Sequence, residues 1–203
     1  MAAYSQIPNV NAHLHTPFSF SAFEKLTDAL DMAYDEDVRI VGINDFYSMD
    51  GYEEWSREAL KRHLYPLFNI EFISLQKEDQ ENGIRVNDPS NPGRTYISGK
   101  GLACPPSLEE PYATQLTDVR AESNAQVKEM CRRVNELLNA YDAGFSLNFD
   151  TIENFLSKGL IRERHLAKAL RMSAYIHFKN EPDDIKAFFN RIFDGKTLKS
   201  DTF

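Results

Sequence analysis

Between residues 10 and 75 the apolar side chains switch back and forth between two spacings, and that alternation restricts the fold more than anything else in the sequence. Residues 10–15 read as a short strand. Ser21 with Glu24 has the form of a helix-capping box, and Phe23, Leu26, Ala29, Leu30 and Ala33 follow at helical spacing. The β-branched run 38–43 makes a second strand. Residues 51–63 make a second helix, with Trp55, Ala59 and Leu60 on one side, and the Phe- and Ile-rich run 67–75 a third strand. Strands alternating with helices in this order predict an α/β fold, a parallel sheet with crossover helices.

The alternation then stops. Residues 76–111 are rich in Pro and Gly, with one short extended piece at 94–98, and connections of that length are usually functional or disordered. Helical spacing returns at 121–141, 150–158, 163–178 and 183–193, with Asp150 and Glu181-Pro182 as helix starts. Leu137, Leu138, Phe155, Leu166, Leu170, Phe188 and Phe189 are expected to form a small helical core. The expected organisation is therefore an α/β part at 1–115 and a helical subdomain at 116–203.

Composition excludes several roles. The chain has 203 residues, 42% of them hydrophobic, enough to bury a core. Its formal net charge of −8 argues against general nucleic-acid binding, which needs clustered Lys and Arg. No run approaches the roughly 20 apolar residues of a membrane span, and no signal peptide is visible at the start. Cys104 and Cys131 lack the paired spacing of a zinc or redox motif. These features lead to the expectation of a reducing, cytoplasmic setting.

The chemistry begins at Asn11-Ala12-His13-Leu14-His15-Thr16. Alternate side chains of an extended chain share a face, so His13 and His15 form half of a metal site. The same spacing also suits two ordinary histidines at a strand end, one hydrogen-bonded and one in solvent.

Read in order, His13-Leu14-His15-Thr16, Ile43-Asn44-Asp45-Phe46, Asp50-Gly51-Tyr52-Glu53-Glu54 and Asn69-Ile70-Glu71 resemble the motifs of the polymerase-and-histidinol-phosphatase (PHP) family. The run Arg162-Glu163-Arg164-His165-Leu166-Ala167 is similar to a helix in the helical insertion of the family's phosphoesterase branch. The resemblance implies part of a distorted (β/α)7 barrel followed by a helical insertion, and phosphate-ester hydrolysis by metal-activated water. It places His13 and His15 on the first metal pair, Glu71 on a bridging carboxylate and Asp45 on the acidic residue of the second strand, a ligand or the orienter of a histidine. Imidazole and carboxylate ligands suit manganese, zinc or iron, and family members bind two or three such ions.

The departures are specific. Phe46 stands where the family has a histidine, and Phe can neither coordinate a metal nor move a proton. Asn69 replaces a usual glycine, and the extended piece at 94–101 lacks the family's next histidine. The sequence ends at Phe203, before the late strands that carry further ligands, so either a fragment of a longer protein or completion by oligomerisation is expected.

Arg94, Lys100, Arg164 and His165 form a candidate anion cradle for phosphate, with Gly93, Gly99 and Gly101 letting backbone amides approach. They are equally well read as solvent-facing cations of a turn-rich loop, with His165 in a structural hydrogen bond. Asp50 is expected to cap the second helix, His63 and His177 to sit as cations at helix ends, and Tyr47, Tyr52 and Trp55 to pack. Two functions follow. One is a PHP-like metal-dependent phosphoesterase acting on a small phosphorylated molecule, with His13, His15 and Glu71 on the metal. In it Asp45 and His165 are catalytic, and Arg94, Lys100 and Arg164 bind substrate. The alternative is a catalytically degenerate binding or regulatory domain of the same descent.

Overall fold

The computed structural model describes residues 7–193. It divides into two compact units, Met1–Val119 and Arg120–Phe203.

The first unit is built on a four-stranded sheet in the order β1-β2-β3-β4. Strands β1 (Asn9–Leu14), β2 (Val38–Phe46) and β3 (Tyr65–Leu75) are parallel, joined by helices α1 (Leu26–Asp35) and α2 (Tyr52–Lys61). That is the alternation expected from the spacing of apolar residues. After the short helix α3 (Lys77–Glu81), β4 (Arg94–Lys100) returns antiparallel to β3, so the sheet is mixed. The connection closes on itself, the Gln76 N–H donating to the Gly93 carbonyl at 2.8 Å, so the chain leaves it beside the point of entry and runs back along β3.

The core of this unit places Leu26, Leu30 and Ala33 of α1, Val41 and Ile43 of β2, and Tyr52, Trp55 and Ala59 of α2 in one cluster. Leu60 lies outside it, 59% exposed, because it stands about 100° round the helix from Ala59. Helix α1 begins later than the Ser21–Glu24 pattern predicts. The Ser21 hydroxyl instead donates to the His15 carbonyl and accepts the Phe23 N–H, while the Lys25 N–H is taken by Asp28. Gly51, not Asp50, is the N-cap of α2, and no side chain closes that end.

One glycine controls β1. The pairing runs from Asn11↔Val41 to Leu14↔Ile43, so β1 advances three residues while β2 advances two. Gly42 faces this irregular stretch, and a Cβ there would lie 2.8 Å from the Ala12 backbone. The close approach sets the path of the chain through His13.

In the second unit the helices are α5 (Phe149–Leu156), α6 (Glu163–His177), α7 (Pro182–Ile192) and the portion of α4 (Tyr112–Ala140) beyond Val119. Asn148 caps α5 by accepting the Thr151 N–H, two residues before Asp150. The core contains Leu138, Leu166 and Phe188, with Leu170 and Phe189 packed against it, as the sequence predicts. Phe155 is 80% exposed and Leu137 40%, so neither belongs to it. Their apolar character matches the core stripe, but their helical phase does not. Among the described residues no helix is long and apolar enough to cross a membrane.

Candidate metal centre

Strand register decides which side chains meet. Asn69 pairs with Asn44 and Lys100, and Glu71 with Phe46 and Ser98. Paired residues face the same way, so these six positions form one stripe across β2, β3 and β4. His13 and His15 lie against it. Asp45, one residue out of phase, projects to the other face.

Nitrogen atoms crowd a single carboxylate oxygen. Oε2 of Glu71 lies 3.2 Å from Nε2 of His13 and 3.2 Å from Nε2 of His15. Nδ2 of Asn44 is 3.2 Å from the same atom. Glu71 is buried, His15 partly so, and His13 faces solvent at the rim. Burial pushes the Glu71 carboxyl up, but its hydrogen bond with His15 and the charges of both imidazoles outweigh this and hold it below its ordinary value.

Lys100 fixes the orientation of Asn44. Its Nζ donates to Asn44 Oδ1 at 2.9 Å and to the Ala12 carbonyl at 3.3 Å. An ammonium group only donates, so the amide oxygen faces Lys100 and the NH2 faces His13 Nε2 (3.0 Å), Glu71 Oε2 and Ser98 Oγ (3.2 Å). His13 Nε2 is thereby caught between a donor and a carboxylate. Protonated, it opposes the Asn44 amide; unprotonated, its lone pair opposes Glu71.

A cation seated between His13 and Glu71 relieves that conflict. The ligand atoms of His13, His15 and Glu71 all lie within 4.8 Å of one another. Tetrahedral bonds of about 2.1 Å hold ligand atoms about 3.4 Å apart, close to the spacing of both imidazoles from Glu71. Two imidazoles and a carboxylate suit a first-row divalent ion. The residues present fit a metal.

Phe46 has a place in this arrangement. The His15 ring stacks with Phe20, at 5.2 Å, and with Phe46, at 4.9 Å, and those two rings stack on each other at 5.6 Å. The stack immobilises the imidazole, although its Nδ1 is buried and has no hydrogen-bond partner.

Asp45 holds the loop that carries Phe20. Its carboxylate accepts from the Thr16 N–H at 2.7 Å, the Ser19 hydroxyl at 2.7 Å and the Thr16 hydroxyl. Burial raises its pKa, and the bonds from Ser19 and Thr16 oppose the rise. No hydrogen bond joins it to a histidine among the described residues, so it orients His15 only through the loop.

The cationic residues separate. Lys100 joins the cluster through Asn44. Arg94 pairs with Asp88 (3.3 Å) and lies over the Tyr96 ring, near the opposite end of β4. The Gly93 and Gly101 amides donate to Ile84 and Asn69, which leaves neither for an anion. Arg164 and His165 belong to the second unit, where His165 Nδ1 accepts the Arg162 N–H at 2.9 Å and closes the start of α6. Burial lowers the His165 pKa, as does the charge of Lys168, with Glu163 opposing.

Sequence reasoning missed Asn44, Ser98 and Phe20 as parts of the centre. The two-residue period of β2 and β4 carried the signal for Asn44 and Ser98, once the register with Glu71 was known. Asn69 spans the sheet, donating to the Ala12 carbonyl (3.1 Å) and accepting from the Gly101 N–H (3.2 Å).

The architecture and the three-ligand cluster define a mixed α/β protein with a candidate metal centre at the sheet. An amidohydrolase from Chromobacterium violaceum, solved with bound sulfate and no metal, shares the fold at a TM-score of 0.58 and 21% identity, over 90% of this chain and 54% of that one. A protein from Bifidobacterium adolescentis, described as a metal-dependent phosphoesterase, shares it at a TM-score of 0.56 and 18% identity, over 96% and 57%. The chain thus spans just over half the length of these two structures. No family model and no curated protein matches the sequence.

Proposed function

We propose that this chain carries the metal centre of a hydrolase that cleaves the ester of a small phosphorylated molecule, with its sheet as part of a PHP-like (β/α)7 barrel and a cytoplasmic setting. The observation that supports it best is the convergence of His13, His15 and Glu71 around one carboxylate oxygen. These three side chains hold the ion, which is manganese, zinc or iron. When bound, such an ion supplies Lewis acidity toward a phosphoryl oxygen and lowers the pKa of water.

The rest of the chemistry belongs to the protein. Phe20 and Phe46 stack with the His15 ring and restrict its orientation. Asp45 positions the Phe20 ring by gripping the Thr16–Ser19 turn. Asn44 aligns His13 with Glu71. Phe46 moves no proton, so it is not the group that protonates the leaving oxygen.

The test is elemental analysis of tag-free protein purified without added metal, beside the His13→Ala/His15→Ala double variant. About one equivalent of metal, lost in the variant, is expected. Absence of metal even after incubation with manganese, zinc or iron overturns the proposal and favours a binding domain.

A further inference from the structure

Resting on that metal-dependent reading, we infer that Asn44 is a further ligand of the ion: its amide turns over when the ion enters, presenting Oδ1 to it and giving up Lys100. Asn44 is wholly buried, and its amide nitrogen stands 3.0 Å from His13 Nε2 and 3.2 Å from Glu71 Oε2. Those separations suit atoms that share one ion, as does the 3.2 Å between His15 and Glu71. The group at that place is now a donor, however, and it repels the cation that the three neighbouring ligands attract.

A half-turn about the Cβ–Cγ bond removes the conflict. The oxygen and nitrogen of an amide are nearly equal in size, so the turn exchanges their positions without moving the backbone. Oδ1 then takes the place now held by Nδ2, beside His13 and Glu71. Ser98 accommodates both states. Its hydroxyl, 3.2 Å from the amide nitrogen, accepts from it now, and a hydroxyl donates equally well to an oxygen.

The turn gives up the bond from Lys100. Nζ of Lys100 donates to Oδ1 at 2.9 Å, and after the turn it would meet the NH2 group, donor against donor. Lys100 is exposed, and its other bond, to the Ala12 carbonyl, is long at 3.3 Å, so the ammonium can withdraw to solvent. The ion and Lys100 thus compete for one oxygen. A divalent charge at bonding distance attracts that oxygen more strongly than an exposed ammonium does. Lys100 therefore opposes the ion chiefly through Asn44, a coupling that repulsion between the two charges would not produce.

The experiment is calorimetric titration of the full chain with Zn2+, in the wild type, Lys100→Met, Asn44→Ala and the double variant. Lys100→Met is expected to bind Zn2+ about tenfold more tightly than the wild type, and Asn44→Ala about tenfold more weakly. In the double variant the gain from Lys100→Met is expected to vanish, leaving affinity within about threefold of Asn44→Ala alone. Unchanged or weaker binding in Lys100→Met overturns the inference. So does a gain of equal size with and without Asn44, which marks repulsion by charge alone. Binding in Asn44→Ala as tight as in the wild type, or tighter, also overturns it, because removing a donor that stays in place would help the ion. Should Asn44→Ala not fold, NMR of the wild type decides. An NOE from the Asn44 amide hydrogens to the His13 ring is expected without Zn2+ and lost with it, and its persistence overturns the inference. No uptake of Zn2+, manganese or iron by the wild type overturns the metal-dependent reading and this inference with it.

Discussion

The two units differ in what they bury beside their apolar cores. The first buries Thr16, Ser19, Asn44, Asp45, Ser48, Asn69, Glu71 and Asp88, whereas the buried side chains described in the second are all apolar. The second unit is an ordinary helical core in which Phe145, Phe178, Phe188 and Phe189 meet ring to ring. A buried polar group costs stability unless it is hydrogen-bonded, so a dense group of them marks a place where folding alone did not set the composition. In the first unit those groups hold one another and the loop above them. The difference sets the buried polar groups in the sheet unit, beside the proposed metal centre, and leaves an apolar core in the helical unit.

The sharpest test of that division is Glu71→Leu. The variant is expected to lose metal retention altogether, read by elemental analysis, because it removes the carboxylate on which both imidazoles converge. Its counterpart in the second unit is Phe188→Ala, expected to cost about 3–5 kcal/mol in chemical denaturation through the cavity it leaves. Metal stoichiometry of that variant is expected to stay at the wild-type value; a loss would break the comparison.

Asp45→Ala tests how the buried polar groups support the centre. It leaves the Thr16 N–H and two hydroxyls without their acceptor, an expected cost of about 2–3 kcal/mol. Metal affinity should fall about tenfold as the Phe20 contact with His15 loosens, which isothermal titration would read. Phe46→Leu removes only stacking and some area, about 1 kcal/mol by thermal unfolding, and leaves metal stoichiometry unchanged.

The smallest effect is one of pH, in the second unit. His165 has a lowered pKa, so the folded state binds its proton less readily than the unfolded chain. Its contribution to stability is complete above the ordinary value of 6.5 and is lost as pH falls below that value toward the lowered one. A protonated Nδ1 could no longer accept the Arg162 N–H. NMR titration of the imidazole should show a midpoint under 6.5, and His165→Gln should remove this part of the acid sensitivity.

Much of the fold was legible because periodicity reports burial directly. Trp55 and Ala59, read as one helix face, are both fully buried. Leu60 and Phe155 were misread because an apolar side chain is not obliged to be inside. The direction of β4 was not legible, since strand composition is alike in parallel and antiparallel pairs and only the connection decides. Of the site, His13, His15 and Glu71 were legible in order, and the structure brings their ligand atoms together. Lys100 was legible as a cation but not as the partner of Asn44.

The sequence by itself determined the alternation of strands and helices in the first unit, most of its apolar core positions and the phase of His13 with His15, because each depends on neighbours a few residues away. Tertiary structure alone decided that Glu71 lies under those imidazoles, that Asp45 faces away from them, that Phe46 stacks on His15 and that Lys100 turns the Asn44 amide. Each of these depends on strand register, and register is fixed by contacts between residues tens of positions apart, such as the approach of Gly42 to Ala12.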